Sequence, residues 1–409
     1  MHVAFFNRSY YPDQTATGQL LTDLCEELVA GHGCRVSVIS GMPTEIGPEL
    51  TLPATRETRR GVDIVRAQGT RFSKRRFAGR ASNYATYFLS ACWAGLTLRR
   101  PDVVVALTDP PIIGLAAYVA ARRAGAPLVM AFNDLFPEVT ALLPDFHSPT
   151  INAALQRVNE FLVRRASVNV TLGETMRARL IDGKGAPPDN TIVISNWADT
   201  SLIVPGPKEN AFARRHGLHD KFVVMHSGNL GLAQNLDTLV DVAALLRDVP
   251  DIRVVLQGDG VKKAELTAKT AELGLTNVLV LPFQPRERLS ESFASADLFV
   301  VSLQTGLAGY IVPSKLYGIL ASGRPFVAAV EPECEVAALA SAYNCGTVVE
   351  PANARALADA VLRFYRDPAW AAEAGGNARR VSAGFDRRGQ VQKYFDAFER
   401  ALARGGHPS

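Results

Sequence analysis

Short, unbroken apolar runs recur along the chain, each separated from the next by a stretch with apolar residues at helical spacing. The runs 2-HVAFF-6, 35-RVSVIS-40, 102-DVVVAL-107, 127-PLVMAF-132, 167-SVNVTL-172 and 191-TIVIS-195 predict strands in the first half. The runs 221-KFVVMHS-227, 252-IRVVLQG-258, 277-NVLVLPF-283, 297-DLFVVSL-303 and 325-PFVAAV-330 predict strands in the second. Strands that are apolar without alternation are covered on both faces, which signals parallel sheets flanked by helices. The helices expected between them include 19-QLLTDLCEELVAG-31, which ends on glycine, 84-YATYFLSACWAGL-96 and 112-IIGLAAYVAARRA-124. Further on come 235-NLDTLVDVAALL-246, 261-VKKAELTAKTAELG-274, 286-RERLSESFASA-296, a helix opening near Lys315, 354-ARALADAVLRFY-365 and an amphipathic tail, 388-RGQVQKYFDAFERALAR-404.

This alternation predicts an α/β fold with two Rossmann-like domains. Residues 197–220, with Pro205, Gly206 and Pro207, read as a linker. The expected division is 1–200, 201–386, and a last helix over 387–409 that packs back on the first domain. In open parallel sheets, ligands bind beyond the carboxyl ends of the strands, so both domains are expected to face a shared cleft. A length of 409 residues fits two domains better than one core.

Composition narrows the classes. The net charge is only +4, which does not indicate a nucleic-acid protein. The five cysteines form no Cys-x-x-Cys pair, which fits a reducing compartment and argues against structural zinc. The start, 1-MHVAFFNRSYYP, reads as a strand and not as a signal peptide, and no apolar run is long enough for a membrane span. A cytoplasmic protein is expected. Charge is uneven, however: Arg71, Lys74, Arg75, Arg76 and Arg80 crowd residues 71–80. This segment is either a solvated loop or a docking surface for anionic lipid at the inner face of the cytoplasmic membrane.

The stretch 306-GLAGYIVPSKLYGILASG-323 holds the most chemistry. A strand, a glycine-bearing loop and a helix start at Pro313-Ser314-Lys315 form an anion site, where free N–H groups and the helix dipole favour a phosphate. Proline suits the first turn, Ser314 can cap and Lys315 adds a full charge.

The order of motifs resembles the GT-B glycosyltransferases, specifically retaining family 4 and its bacterial exopolysaccharide and O-antigen branch, including the fucosamine transferases. The carriers are 10-YYPDQTATGQLLTDLCEEL-28, 108-TDPPIIG-114, 133-NDLFPE-138, 193-VISNWAD-199, 226-HSGNLG-231, 258-GDG-260, 312-VPSKLYGILASGRP-325 and 333-ECEVA-337. The resemblance spans nearly the whole chain.

It implies a nucleotide-sugar donor held by Gly18, Ser227, Gly228, Asn229, Gly258, Phe283, Gly309, Pro313, Ser314, Lys315, Tyr317 and Glu335. An acceptor glycan, free or polyprenyl-linked, would meet Thr17, Gln19, Asp109, Asp134 and Glu138. Two departures from the family pattern stand out. The Arg and Lys that usually hold the diphosphate appear here as Asn229 and Gln234. The two spaced glutamates fall near Tyr310 and at Gly318, and neither is acidic. Lys315 is the cation left to meet the diphosphate, while Ser227, Asn229, Ser314 and the amides of Gly228 and Gly309 supply neutral hydrogen bonds. Glu335 either takes a ribose hydroxyl or only complements a helix dipole.

Asp134, at the end of a first-domain strand, binds the acceptor or handles its proton, or else caps a turn. Asp109 precedes two prolines and also reads as a turn former. His226 ends a strand and reads mainly as core. Phe283 is placed near the base by resemblance and competes with a core reading. Asp134 and Lys315 are the catalytic candidates. No metal-ligand spacing occurs and no cofactor is implied.

The resulting expectation is a metal-independent, retaining transfer from a nucleoside diphosphate, UDP by preference, without a protein nucleophile. The alternatives are a non-hydrolysing sugar-nucleotide epimerase and a catalytically silent glycan-binding protein. A dinucleotide oxidoreductase does not fit, because 7-NRSYYPDQTATG-18 lacks the Gly-x-Gly-x-x-Gly pattern.

Overall fold

The structure, a computed structural model, describes residues 1–43, 53–70, 72, 77–142 and 148–405. Of the basic segment singled out above, Arg71, Lys74, Arg75 and Arg76 lie outside the described residues. The chain divides into two compact units, Met1–Ser195 with Arg387–Ser409, and Asn196–Asp386. The division comes before residue 200 because the stretch after it is tied to the second unit. The Ala198 amide donates to the Phe385 carbonyl at 3.2 Å, and the Thr200 hydroxyl donates to Asp386. The expected linker also carries a short helix, Ala211–Arg215, capped by the Asn210 side chain.

The first unit is built on β1 (His2–Phe6), β2 (Arg35–Gly41), β3 (Arg56–Arg59), β4 (Val62–Ala67), β5 (Val103–Ala106), β6 (Leu128–Ala131), β7 (Val168–Thr171) and β8 (Thr191–Val193). Among the described residues these form one sheet in the order β3-β4-β2-β1-β5-β6-β7-β8. Val3, Phe5, Val104 and Val129 are fully buried, as expected of strands covered on both faces. The all-parallel expectation needs one correction: β3 is antiparallel to β4. Arg60 and Gly61 join them with φ of 47° and 81°, the pair of positive values that a two-residue hairpin requires. The last helix, Arg387–Gly405, lies in this unit, with Phe398 edge-on to Phe5 at 6.1 Å.

The second unit contains β9 (Phe222–Ser227), β10 (Ile252–Gln257), β11 (Val278–Leu281), β12 (Leu298–Ser302), β13 (Phe326–Ala329) and β14 (Gly346–Val349). Its order is β11-β10-β9-β12-β13-β14, and every pairing is parallel.

Each sheet has one place where the strand order reverses. In the first it lies between β1 and β5, in the second between β9 and β12. Loops leaving neighbouring strands diverge there and leave a crevice at their carboxyl ends. The candidate chemistry gathers at these two points.

Candidate active site

In the second unit the loop after β9 and the helix after β12 meet through Lys315. This residue opens the short helix Lys315–Ala321, and its side chain crosses Gly228. A Cβ at Gly228 would lie 3.3 Å from Lys315 Cε, so the missing side chain leaves the lysine its path. Lys315 Nζ ends 2.9 Å from His226 Nε2, at the end of β9. His226 is fully buried. Burial first, and then the Lys315 charge, hold its imidazole well below the ordinary value, so the neutral ring accepts a hydrogen bond from the ammonium. Burial also pushes Lys315 down to about 7. The result is a half-buried cation whose contact is a neutral base.

The glycines around it serve the backbone. A Cβ on Gly258 would fall 1.8 Å from the Gly228 carbonyl oxygen, and Gly258 itself takes a φ of 151°. Gly258 therefore lets two loops touch. Its amide donates to Leu281 at 2.8 Å, and that of Gly228 donates to Gln257 at 2.9 Å. The Gly228 amide is thus already engaged and is not the free donor expected of it. Ser227 is buried and its hydroxyl accepts from Gln257 at 3.2 Å, whereas Asn229 is exposed.

Ser314 occupies the N-cap position, but its side chain makes no cap hydrogen bond, because its own backbone is already helical (φ −64°, ψ −23°). Pro313 is buried beside it. Glu331 steadies the preceding loop by accepting from the amides of Gly306 at 2.9 Å and Ala308 at 3.2 Å. Gly309, in the same loop, has a φ of 76°.

Two donor candidates differ in exposure. Tyr317 is a core residue, packed against Phe385 with ring centroids 5.1 Å apart. Phe283 lies just beyond β11 and is 41% exposed, which removes the core reading. Glu335 is the first residue of the helix Glu335–Tyr343 and is half-buried. At Gly318, a Cβ would meet Phe293 at 3.2 Å and Ile203 at 3.4 Å. That position faces apolar side chains, so a glutamate there would lose its hydration without gaining a partner.

In the first unit, Asp109 follows β5 and Asp134 follows β6. Asp109 is bound from the neighbouring β1 loop: Arg8 Nε reaches it at 3.2 Å and the Ser9 hydroxyl donates at 2.7 Å. Sequence reasoning named neither partner. Asp134 has no ion pair among the described residues, and its amide donates to the Thr108 hydroxyl at 3.4 Å. Burial, and then the Asp109 charge, raise its carboxyl to about 6. The two acids therefore differ in role: Asp109 fixes the loops and Asp134 stays available.

Three further candidates are held internally. Glu138 takes the buried Lys184 ammonium on both oxygens, at 2.8 and 3.0 Å, and Lys184 also donates to Gln156 at 2.6 Å. Gly18 is in the first turn of the helix Ala16–His32, not in the preceding loop, and its amide donates to the capping Thr15 hydroxyl at 3.2 Å. Gln19 is exposed and bonded to Gln14 at 2.8 Å, while Thr17 is half-buried.

Comparison with known proteins fits this anatomy. Residues 15–197 match the model of the glycosyl transferase 4-like domain, and residues 208–381 that of glycosyl transferases group 1. The chain is 24% identical over 375 residues to WcaI of Escherichia coli K12, a candidate colanic acid biosynthesis glycosyl transferase, covering 87% of this chain and 90% of WcaI. It is 28% identical over 304 residues to a D-inositol 3-phosphate glycosyltransferase of Nocardiopsis dassonvillei, covering 71% and 68% of the two chains. Among solved structures it resembles Anabaena HepE in complex with UDP and glucose, with a TM-score of 0.76 at 20% identity over 98% of this chain and 99% of HepE. With a 4-like module followed by a group 1 module on a GT-B fold, the chain belongs to the glycosyltransferases.

Proposed function

We propose that this protein moves a sugar from a nucleoside diphosphate to a glycan hydroxyl with retention of configuration. The observation that carries the reading is Lys315: a half-buried ammonium at the β9–β12 crevice, held across a glycine and facing a neutral imidazole. Such a cation gains most when a diphosphate replaces lost hydration. UDP is the nucleotide of choice, by analogy with HepE, which binds UDP and glucose.

In the proposed reaction the bond from sugar C1 to the phosphate oxygen breaks as the acceptor oxygen bonds to C1 on the same face. The acceptor proton passes to the departing phosphate oxygen, and Lys315 stabilises the charge that collects there. No metal or cofactor enters this scheme. Asp134 orients the acceptor hydroxyl in the first unit. The acceptor is a growing or polyprenyl-linked glycan of a cell-surface polysaccharide, in line with the naming of WcaI for colanic acid. The reaction then belongs at the cytoplasmic face of the membrane, with residues 71–80 among the contacts. No helix among the described residues is long and apolar enough to cross a membrane.

A panel of UDP-, GDP- and dTDP-sugars tests the donor by thermal shift. A ligand at a hundred times its dissociation constant stabilises by about 2.7 kcal/mol. Indifference to every member would refute the donor reading, and the anomeric configuration of the product, read by NMR, decides retention.

A further inference from the structure

The helix Phe77–Thr97 turns one apolar face to water, while its Asn, Thr and Ser side chains bond to protein. Asn83, Thr86 and Ser90 hold the backbone of the segment alongside. Ser90 accepts from the Gln68 amide at 3.0 Å, Thr86 from that of Thr70 at 2.9 Å, and Asn83 from that of Phe72 at 3.0 Å. A second face, with Tyr87, Ala91 and Gly95, is buried, and Gly95 lies against Phe6 and Ala120. The remaining face carries Ala85, Phe88, Leu89, Cys92, Trp93 and Leu96 at helical spacing. Leu89 is 66% exposed and Trp93 70% exposed, one turn apart. A solvated helix would put its polar residues there.

Charge names what covers this face. From residue 64 to residue 101 the sequence contains no Asp or Glu. Arg99 and Arg100 are exposed just beyond the helix. The helix Ile113–Ala124 packs alongside and ends with the exposed Arg122 and Arg123. Both helices lead into parallel strands of one sheet, β5 and β6, so their carboxyl ends share an edge. An apolar face with a Trp, bordered by cations and free of acids, matches an anionic lipid surface. A second copy of the same face would set these cations against each other.

We propose that this face of the first unit docks on an anionic bilayer. Leu89 and Trp93 enter the headgroup layer, and Arg99, Arg100, Arg122 and Arg123 meet lipid phosphates. None of these residues is among those assigned to the donor or the acceptor, so docking and sugar transfer are separable by substitution.

The test uses the full chain with phosphatidylcholine vesicles, with and without phosphatidylglycerol. Wild type should co-sediment with the anionic vesicles, and its tryptophan emission should shift to the blue. Trp93→Phe should keep binding and lose the shift. Leu89→Gln with Trp93→Gln should reduce partitioning by about tenfold or more, since two large apolar groups leave the interface. Arg99→Gln with Arg100→Gln should weaken binding and its dependence on salt. UDP affinity and the circular dichroism spectrum should be unchanged in every variant, which shows that each remains folded. Equal partitioning of wild type and the Leu89/Trp93 double variant would overturn the proposal. So would a dimer in vesicle-free sedimentation that the same double variant dissolves, because the face would then serve self-association.

Discussion

Asp134 in the first unit and Lys315 in the second are opposite charges under the same physical pressure. Each stands near the carboxyl ends of parallel strands, and burial pushes each towards its neutral form, Asp134 up to about 6 and Lys315 down to about 7. Their companions differ. Asp134 faces a like charge, Asp109, which Arg8 and Ser9 hold in place. Lys315 faces a neutral imidazole that accepts a hydrogen bond and brings no counter-charge. The acid is thus discouraged from ionising, as suits contact with a hydroxyl. The cation is left without a negative partner at His226, as suits capture of a diphosphate. Perturbed groups of this kind cluster at functional sites.

Removing the cation is the harshest way to break this contrast. Lys315→Met keeps most of the stem and a helix-compatible side chain. A charge-assisted hydrogen bond to phosphate is worth about 1.5–3 kcal/mol, so UDP affinity should fall by about 10- to 150-fold. Turnover with saturating donor should fall too, because the departing diphosphate gains charge in the transition state. Calorimetry with UDP decides the matter. Undiminished affinity in Lys315→Met would remove the lysine from the donor site.

Asp134→Asn preserves shape and removes the charge. Loss of one hydrogen bond to a charged group costs about 1.5–3 kcal/mol, so turnover should drop by about 10- to 150-fold. UDP affinity should stay at the wild-type value, which separates this variant from Lys315→Met. A fully active Asp134→Asn would leave the acid as a turn residue only.

The sheets were readable in the sequence because most of their strands are short continuous apolar runs. The hairpin of β3 and β4 was not, since 56-RETRRGVDIVRA-67 hides its alternation among charges. Three of the longer helices escaped for a similar reason. Glu174–Lys184 buries Met176, Leu180 and Lys184, so a lysine interrupts its stripe. Pro149–Arg165 buries Asn159 with Leu162 and Val163, and Pro368–Ser382 buries small and polar residues such as Gly375, Asn377 and Ser382. Lys315 was legible from its place at a helix start after a strand. His226 gains its meaning only from the adjacency of β9 and β12, which joins residues far apart in sequence. The internal partners of Glu138 and Tyr317 were illegible for the same reason. Those partners, Lys184 and Phe385, are long-range contacts that no local pattern announces.

A smaller effect sharpens the contrast through pH. In the free protein Lys315 loses its proton near pH 7, whereas a bound diphosphate favours the ammonium. Donor binding above pH 7 must therefore take up a proton, and affinity should fall by up to about tenfold per pH unit. The nucleotide's own terminal phosphate titrates near about 6 and no longer interferes in that range. Calorimetry in buffers of different ionisation enthalpy reads the proton directly. Lys315→Arg keeps the charge at every working pH and should flatten the profile. A flat wild-type profile would mean that the lysine is already charged when free.

A last effect is on the stability of the unliganded protein, and the two residues should act at opposite ends of the pH scale. Asp134 has a folded value of about 6 against an ordinary 3.8, so its ionisation opposes folding. That cost is absent below 3.8, grows between 3.8 and about 6, and is complete above. Asp134→Asn should raise the melting temperature above pH 6 and leave it unchanged near pH 3.5. Lys315 has a folded value of about 7 against 10.5, so its charge opposes folding at low pH, and the cost fades as pH rises from 7 towards 10.5. Lys315→Met should therefore help most at pH 6 and not at all above 10.5. Each kcal/mol recovered is worth about 2–4 °C in a unit of this size. Calorimetric scans of both variants at pH 5, 6 and 9 give the comparison. If Lys315→Met gained as much at pH 9 as at pH 6, its effect would come from packing against Gly228 and His226, and the ammonium would carry no burial cost to release.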